Sequence, residues 1–263
     1  MSDDEMVVFV IAAGVVVASM LATTTAGLHP LCLARNPGTG LVRSAIIGGM
    51  VWTGLVLAFY ADPSVKGIYI LFYLVLGYAV IKSFGQVAGR LFGVSMRIDV
   101  GERRNWAAAV FLSAFTLGTG FVFGGSLWGE ADPEGSGEGG WWVPLGFFLL
   151  GWGVMAGAVA VYLVREPGHF RTAIRQERST AAATGAASFT VSTAILMTQA
   201  VSGDFFGWGE GLKDVGLAAA MLLAHEFLRA PSGSPAATST RRVVECALYL
   251  SLAAVSVLLN WLR

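Results

Sequence analysis

The stretch ERRNWAAAVFLSAFTLGTGFVFGGSLWGE, residues 102–130, sets two arginines and an asparagine directly before a long run without charge. Between Arg104 and Glu130 no side chain is charged. A helix of about twenty apolar residues crosses the ~30 Å hydrocarbon core of a bilayer. The run therefore predicts a membrane-spanning helix, and the arginines in front of it mark one edge of the membrane.

The same pattern recurs along the whole chain of 263 residues, in which 55% of the residues are hydrophobic and 13% are charged. A typical soluble domain carries roughly 25% charged residues. Only helices and closed barrels satisfy every backbone group in lipid, so we expect an all-α, polytopic membrane helical bundle of about eight transmembrane helices. The second and seventh runs are short, and whether they cross fully is left open. The eight runs are Met6–Leu28, Ser44–Ala61, Val65–Gln86, Asn105–Trp128, Trp141–Val164, Thr180–Ser202, Val215–Leu228 and Val243–Leu262.

The placement of charge orients the bundle. Every arginine except Arg263 lies in a segment that precedes an even-numbered run. The opposite side carries Lys66, Lys213 and most of the acidic residues. Because cytoplasmic loops are enriched in arginine and lysine, the arginine-rich loops are predicted to face the cytoplasm. We therefore expect a multi-pass protein of the cytoplasmic (inner) membrane, with both termini outside and the lipid bilayer as its first partner.

Part of the sequence repeats at an interval of 74 residues (178 − 104 = 74). Matching pairs run from Arg104 and Arg178 to Gly129 and Gly203, with three alanines, a phenylalanine and two threonines in register between them. Each unit is an incoming helix, a basic loop and an outgoing helix, so successive units point the same way as parallel repeats. The predicted units are residues 65–130 and 141–204. They are flanked by an N-terminal transmembrane hairpin (1–64) and a C-terminal transmembrane hairpin (205–263), whose status as repeats is left open.

The two unit starts, ERRNWAAAVFLSAFTLG and QERSTAAATGAASFTVS, resemble a bacterial inner-membrane family of unknown function. That family is the domain of unknown function three hundred and fifty, built from two-helix units that begin with a basic stretch, Asn, a variable residue and two or three alanines. Asn105 and Ala107–Ala109 match this pattern, while Ser179 stands where the second Asn would be. The resemblance covers roughly Ile68–Leu228. It implies an integral membrane protein of repeated hairpins and implies no reaction.

Glycines recur at helical spacing in three runs. Because small residues let helix backbones approach closely in lipid, these positions predict tight helix packing within the bundle or in a homo-oligomer. The positions are Gly85, Gly89 and Gly93, then Gly120 and Gly124, and then Gly153 and Gly157.

The sixth run is the most polar, with Thr184, Ser188 and Ser192 on one i, i+4 row. Hydroxyls on one helix face can line a water-filled path. They equally bond to their own helix or hold two helices together, and this second interpretation is favoured.

Basic side chains and helix caps form the remaining candidate positions. Asn105 and Ser179 stand where helix N-caps are expected, directly before the fourth and sixth runs. The basic residues are candidate cytoplasmic contacts for anionic lipid or a partner protein, against the simpler interpretation that they anchor helices by reaching the headgroups. These candidates are Lys82, Arg90, Arg171, Arg175 and Arg178.

Several function classes are disfavoured by the sequence. The chain has 17 basic and 17 acidic residues, which argues against a basic nucleic-acid binder. No catalytic, cofactor or metal motif appears, so we expect no enzyme and no cofactor. His225, Glu226 and Glu245 belong to one cytoplasmic edge and, with His169, would form a proton or metal site, but without a known ligand spacing.

The sequence therefore leaves three hypotheses in order of preference. The first is a non-enzymatic membrane scaffold or partner-binding bundle, acting as a homo-oligomer or with a cytoplasmic protein. The second is a passive channel or small-solute pathway lined by the hydroxyl-rich sixth run. The third is a lipid-modifying enzyme that uses His169, His225 and Glu226 at the cytoplasmic face.

Overall fold

The computed structural model describes residues 1–25, 36–129, 140–166, 170–203, 209–228 and 235–261. This part of the chain is helical and contains no β-strand, as the all-α expectation requires. Two π-helical segments, Ile81–Val87 and Met96–Glu102, interrupt the series of α-helices. The α-helices are α1 (Asp3–Thr25), α2 (Pro37–Phe59), α3 (Ile68–Val80), α4 (Ala88–Leu91), α5 (Trp106–Gly125), α6 (Trp142–Arg165), α7 (Phe170–Arg175), α8 (Thr180–Ala200), α9 (Gly209–Leu228) and α10 (Pro235–Trp261).

Within the described residues, six helical segments are long and apolar enough to cross a membrane, compared with the eight expected from sequence. The two outside this set are the last. Helix α9 carries charged residues in both its first and its last turns, and α10 has an apolar part, Val243–Leu259, that is shorter than a full span. The six are Asp3–Leu21, Pro37–Phe59, Ile68–Leu91, Trp106–Gly125, Trp142–Arg165 and Thr180–Ala200.

Helix α5 lies at the centre of the bundle. It packs along α2 on one side and along α8 on the other, and α8 packs in turn against α10. The incoming helices flank this row, since α1 packs on α3, and α6 packs on α8 and α9. Most of α5 is buried, whereas most of α1 is exposed in the isolated chain, as expected for a helix at the bundle edge that faces lipid.

Glycines allow the close approach of α2 and α5. A Cβ added to Gly120 would lie 2.6 Å from the Cα of Gly49, so the two backbones touch at this level. A Cβ on Gly85, in the π-helical segment, would lie 3.0 Å from the Cα of Thr116. The predicted glycine packing is therefore present in these helices.

The glycines of α6 differ from this prediction. At Gly153 and Gly157 an added Cβ would meet no atom of the described residues within 4 Å. Their i, i+4 spacing puts them on one face, but that face points away from the bundle. Spacing alone identifies a face and leaves its neighbour unspecified.

By composition, two segments of the sequence are predicted to be loops. The segment APSGSPAATST, residues 230–240, is a flexible linker by composition, but α10 already begins at Pro235 and takes up its second half. Proline is well tolerated in the first turn of a helix, which explains the start at this residue. The acidic outer loop GEADPEGSGEGG lies almost entirely outside the described residues.

Candidate functional site

Two N-cap asparagines join their helices to a later segment of the chain. Asn105 accepts the Ala108 amide through its Oδ1 at 3.2 Å and donates from Nδ2 to the Ile174 carbonyl at 2.6 Å. Asn36 does the same at α2, where its Nδ2 donates to the Val100 carbonyl at 2.9 Å. Ser179 accepts an amide of α8 with its hydroxyl, at 3.3 Å. A serine hydroxyl extends less far than an asparagine amide, so this cap stays local.

Equivalent positions of α5 and α8 make equivalent contacts. Arg104 and Arg178 both have left-handed backbone angles, with φ of 51° and 52°. The Gly129 amide donates to the Tyr60 carbonyl, and the Gly203 amide donates to the Trp128 carbonyl. Four threonine hydroxyls bond to carbonyls one turn earlier in matching pairs: Thr116 to Leu112 and Thr190 to Ala186, both at 2.7 Å, and Thr119 to Phe115 and Thr193 to Phe189, both at 2.9 Å.

The row Thr184, Ser188 and Ser192 faces α10 for part of its length. Thr184 donates to the Thr180 carbonyl of its own helix at 2.9 Å, and Ser188 donates to the Gly185 carbonyl at 2.9 Å. The Ser188 hydroxyl also lies 3.1 Å from Cys246 Sγ. Ser192 is buried and its hydroxyl makes no hydrogen bond within the described residues. Two of the three hydroxyls are thus satisfied by their own helix.

The basic candidates divide into engaged and exposed residues. Arg171 donates to the Leu91 carbonyl at 3.2 Å, and Arg175 donates to Asp99 Oδ1 at 3.0 Å. Together they hold α7 against the end of α4 and the segment between α4 and α5. Lys82 is half-buried in the π-helical segment, while Arg90 and Arg178 are exposed. Arg171 is exposed as well, so Arg90 and Arg178 are the exposed candidates that are not used to hold α7.

The C-terminal helices bury a group of charged residues. Glu166 directly follows α6, His225 lies in the last turn of α9, and Arg241 and Glu245 are one turn apart in α10. His225 and Glu245 have 0% relative exposure, and Glu166 and Arg241 have 8%. Apolar bundles rarely bury ionisable groups without pairing them, so their arrangement is informative.

These four residues form a closed ring in which two acidic side chains alternate with an arginine and a histidine, and we call it the ionic ring. Arg241 lies 3.1 Å from Glu166 Oε1 through Nη2 and 2.6 Å from Glu245 Oε1 through Nε. His225 lies 3.5 Å from Glu166 Oε1 through Nε2 and 3.6 Å from Glu245 Oε1 through Nδ1. Each carboxylate thus lies between an arginine and a histidine.

Two tyrosines enclose the histidine of the ionic ring. The Tyr249 hydroxyl lies 3.2 Å from His225 Nδ1, and the Tyr162 ring centroid lies 4.3 Å from that of the imidazole. Tyr162 is stacked in turn on Phe189 of α8 at 4.6 Å. The aromatic side chains of Tyr162 and Phe189 thus lie between the ionic ring and the apolar middle of α8. His225 Nε2 makes no hydrogen bond within the described residues.

The geometry of the ionic ring suits a proton better than a metal ion. Glu166, His225 and Glu245 each offer a ligand atom within 4.8 Å of the others. However, the two imidazole nitrogens face different carboxylates, and Arg241 already contacts both acids. A protonated imidazole would give two positive and two negative groups, whereas a neutral imidazole leaves one negative charge in excess. Buried charge is tolerated when it is compensated, so a proton on His225 would balance the charges of these four residues, whereas the carboxylates that a metal ion would need are already occupied by Arg241.

A second polar group is buried at the other end of the same helices. The Ser256 hydroxyl of α10 donates to Asp214 Oδ1 of α9 at 2.7 Å and lies 3.1 Å from Gln199 Oε1 of α8. Asp214 and Ser256 are almost fully buried. This group, which we call the Asp214 cluster, joins α8, α9 and α10.

Sequence reasoning found part of the ionic ring. It placed His225 and Glu245 at one edge, but it grouped them with His169, which lies outside the described residues, and with Glu226. Glu226 instead pairs with Arg165 at 3.5 Å, on the outside of the bundle.

Two members of the ionic ring were missed. Glu166 and Arg241 each carried a signal in the sequence. The i, i+4 spacing of Arg241 and Glu245 is that of a helical ion pair, and Glu166 is the first acid after an apolar run.

Comparisons of the chain with protein-family models, with curated proteins and with solved structures give no match. The resemblance to the family of two-helix units stays a prediction.

Proposed function

We propose that the protein is a polytopic inner-membrane bundle of four parallel two-helix units, with both termini outside. The units pair α1 with α2, α3 with α5, α6 with α8, and α9 with α10. The six membrane-length helices, the arginine-rich loops and the matched contacts of α5 and α8 support this arrangement. In this proposal α9 and α10 cross the membrane as a fourth hairpin, whose charged residues are buried against α6 and α8.

The function supported best is that of a non-enzymatic scaffold or partner-binding bundle. The observation that carries it is the row α2, α5 and α8, in which backbone contacts and asparagine caps tie each helix to the next segment. Most of the buried threonine hydroxyls of this row bond to carbonyls of their own helices. The hydroxyls that motivated a passive pathway bond to their own helix at Thr184 and Ser188, which favours helix packing for this row.

The partner-binding surface in this proposal is the exposed part of the cytoplasmic arginines. Arg90, Arg104 and Arg178 are exposed, whereas Arg171 and Arg175 each bond to the segment that precedes α5. A cytoplasmic partner with an acidic surface would be recognised here, and anionic headgroups compete for the same side chains.

The test is in-membrane cross-linking followed by affinity purification, with a variant that removes the exposed charges. Arg90→Gln, Arg104→Asn and Arg178→Asn are combined, because asparagine tolerates left-handed backbone angles. Lys66→Gln, on the opposite side of the membrane, is the matched control. We expect proteins that co-purify with the wild type and the control to be lost with the triple variant. The same set of proteins from all three would contradict a role of these arginines in partner binding.

A further inference from the structure

We propose that α6, α8, α9 and α10 carry a proton pathway, with the ionic ring as its cytoplasmic station and the Asp214 cluster as its outer station. This inference goes beyond the scaffold role, because it assigns a transported species to one part of the bundle.

The two stations lie on the same faces of the same two helices. Asp214 and His225 are eleven residues apart in α9, and Glu245 and Ser256 are eleven residues apart in α10 (225 − 214 = 256 − 245 = 11). Eleven residues make about three helical turns, which returns the side chains to one face roughly 16 Å further along the axis. Two antiparallel helices thus bring buried polar groups together at both ends of one seam.

Burying these ionisable groups costs free energy, which suggests that they have a function. Ionisable residues inside a membrane bundle are expensive, face the bundle interior and commonly mark proton relays. Helix α5 shows that a central helix of this bundle packs without ionisable residues, since its buried side chains are apolar or carry only a hydroxyl. Local departures from a packing rule are expected at functional positions.

The ionic ring accepts a proton without any change elsewhere in the covalent structure. The proton binds to an imidazole nitrogen of His225, and the ring passes from one excess negative charge to neutrality. The groups facing His225 are Glu166 and Tyr162 from the α6 side and Arg241, Glu245 and Tyr249 from α10. From α8 the nearest aromatic side chain is Phe189, which does not titrate.

The middle of the seam is closed and apolar in the structure. Ala218, Met221 and Ala253 are buried between the stations, and Tyr249 directs its hydroxyl toward His225. A proton crosses such a segment only along a file of water. The two alanines are the smallest buried side chains at this level, so this is where the water file would form. Larger side chains there should block transfer without touching either station.

The test measures proton flux into liposomes that hold the purified full chain and a pH-sensitive dye, driven by a potassium diffusion potential with valinomycin. The variants are His225→Gln, which keeps a polar side chain that does not titrate near neutral pH, and Asp214→Asn, which keeps the shape and an acceptor for Ser256. Glu226→Gln is the matched control for the first variant, because it lies next to His225 and outside the ionic ring. Thr184→Val with Ser188→Ala is the control for a path along α8.

We expect wild-type flux clearly above that of empty liposomes, and a decrease of tenfold or more in each station variant. Both controls should keep the wild-type rate. Size-exclusion chromatography and thermal unfolding show whether each variant folds. If His225→Gln does not fold, the proton flux of Asp214→Asn and Ala218→Leu tests the pathway. Asp214→Asn leaves the ionic ring intact, and Ala218→Leu leaves both stations intact.

Wild-type flux equal to that of empty liposomes would overturn the proposal. So would wild-type rates in folded Asp214→Asn or Ala218→Leu protein. Loss of flux in the Thr184 and Ser188 control alone would also overturn it and place the path along α8. The scaffold proposal is tested by arginines that contact neither station, so the two ideas fail separately.

Discussion

At the scale of single residues, the asparagine caps have two functions. Asn105 uses its carbonyl oxygen to cap α5 and its amide nitrogen to hold the Ile174 carbonyl of the following loop. An asparagine at a cap is usually explained by the first function alone. The second function explains why the side chain is fully buried, and Asn36 repeats it at α2.

Asn105→Ala is expected to lower the free energy of unfolding by about 2–4 kcal/mol. The lost cap contributes about 1 kcal/mol, and the unpaired buried Ile174 carbonyl contributes on the order of 1–3 kcal/mol. Asn105→Ser should recover the cap and leave only the second loss. Ser179→Ala, which removes a cap without a cross-loop bond, should lose about 1 kcal/mol. Unfolding in mixed detergent micelles, followed by circular dichroism, ranks the three variants by their loss of unfolding free energy. Equal losses for Asn105→Ala and Ser179→Ala would rule out a contribution from the bond to the Ile174 carbonyl.

At the scale of helices, the contact of α2 with α5 depends on two glycines whose backbones touch. A Cβ at Gly120 would lie 2.6 Å from the Cα of Gly49, and a backbone atom cannot move aside as the end of a flexible side chain can. In lipid this close approach replaces the water-driven hydrophobic effect as the source of helix association.

Gly120→Ala should destabilise the bundle by roughly 1–3 kcal/mol, because the added methyl group has to push two backbones apart. The matched control is Gly157→Ala in α6, where no described atom lies within 4 Å of the new methyl group. There the change should be neutral or stabilising by up to ~1 kcal/mol, since alanine favours the helix. Thermal unfolding of the two variants compares them directly. A Gly157→Ala loss as large as that of Gly120→Ala would mean that α6 packs against a second copy of the chain.

A charged contact ties α7 to the segment between α4 and α5. Asp99 is fully buried and accepts the Ser95 amide at 2.8 Å as well as Arg175 at 3.0 Å, and the Arg175 side chain is 36% exposed. The pair Arg97–Glu102 in the same segment is much more exposed, at 73% and 61%. The two pairs allow a comparison of burial within one loop.

Arg175→Met should lower the free energy of unfolding by about 1 kcal/mol, because a buried carboxylate loses a charged partner while the exposed part of the arginine is screened by solvent. Arg97→Met should change it by less than about 0.5 kcal/mol. Unfolding of both variants at low and at high salt measures how much of each loss comes from the charge pair. An Arg97→Met effect that matches that of Arg175→Met would show that burial of Asp99 contributes nothing.

At the scale of the whole molecule, the sequence predicts what depends on local composition. Long neutral runs predict helices, and the arginine loops predict their order across the membrane. The contacts between distant segments are a different matter. The spacing of Gly153 and Gly157 does not say what their face meets, and Glu166 comes close to Arg241 only because α6 and α10 converge. Contacts between such distant residues depend on how the whole chain packs. In a single sequence their only sign is an isolated charged residue within or beside an apolar run.

The number of membrane crossings is the property of the whole molecule that the proposals depend on most. Labelling of single cysteines with a membrane-impermeant maleimide tests it, in a background with Cys32→Ala and Cys246→Ala. Ser64→Cys, between α2 and α3, should react in intact cells, and Gln176→Cys, between α7 and α8, only after permeabilisation. Phe227→Cys decides the fourth hairpin, because Phe227 is 89% exposed at the end of α9. If α9 crosses, this position faces the cytoplasm and reacts only after permeabilisation. Reaction of Phe227→Cys in intact cells would leave six crossings, with the ionic ring on the outer side, and would remove the proton pathway together with the fourth unit.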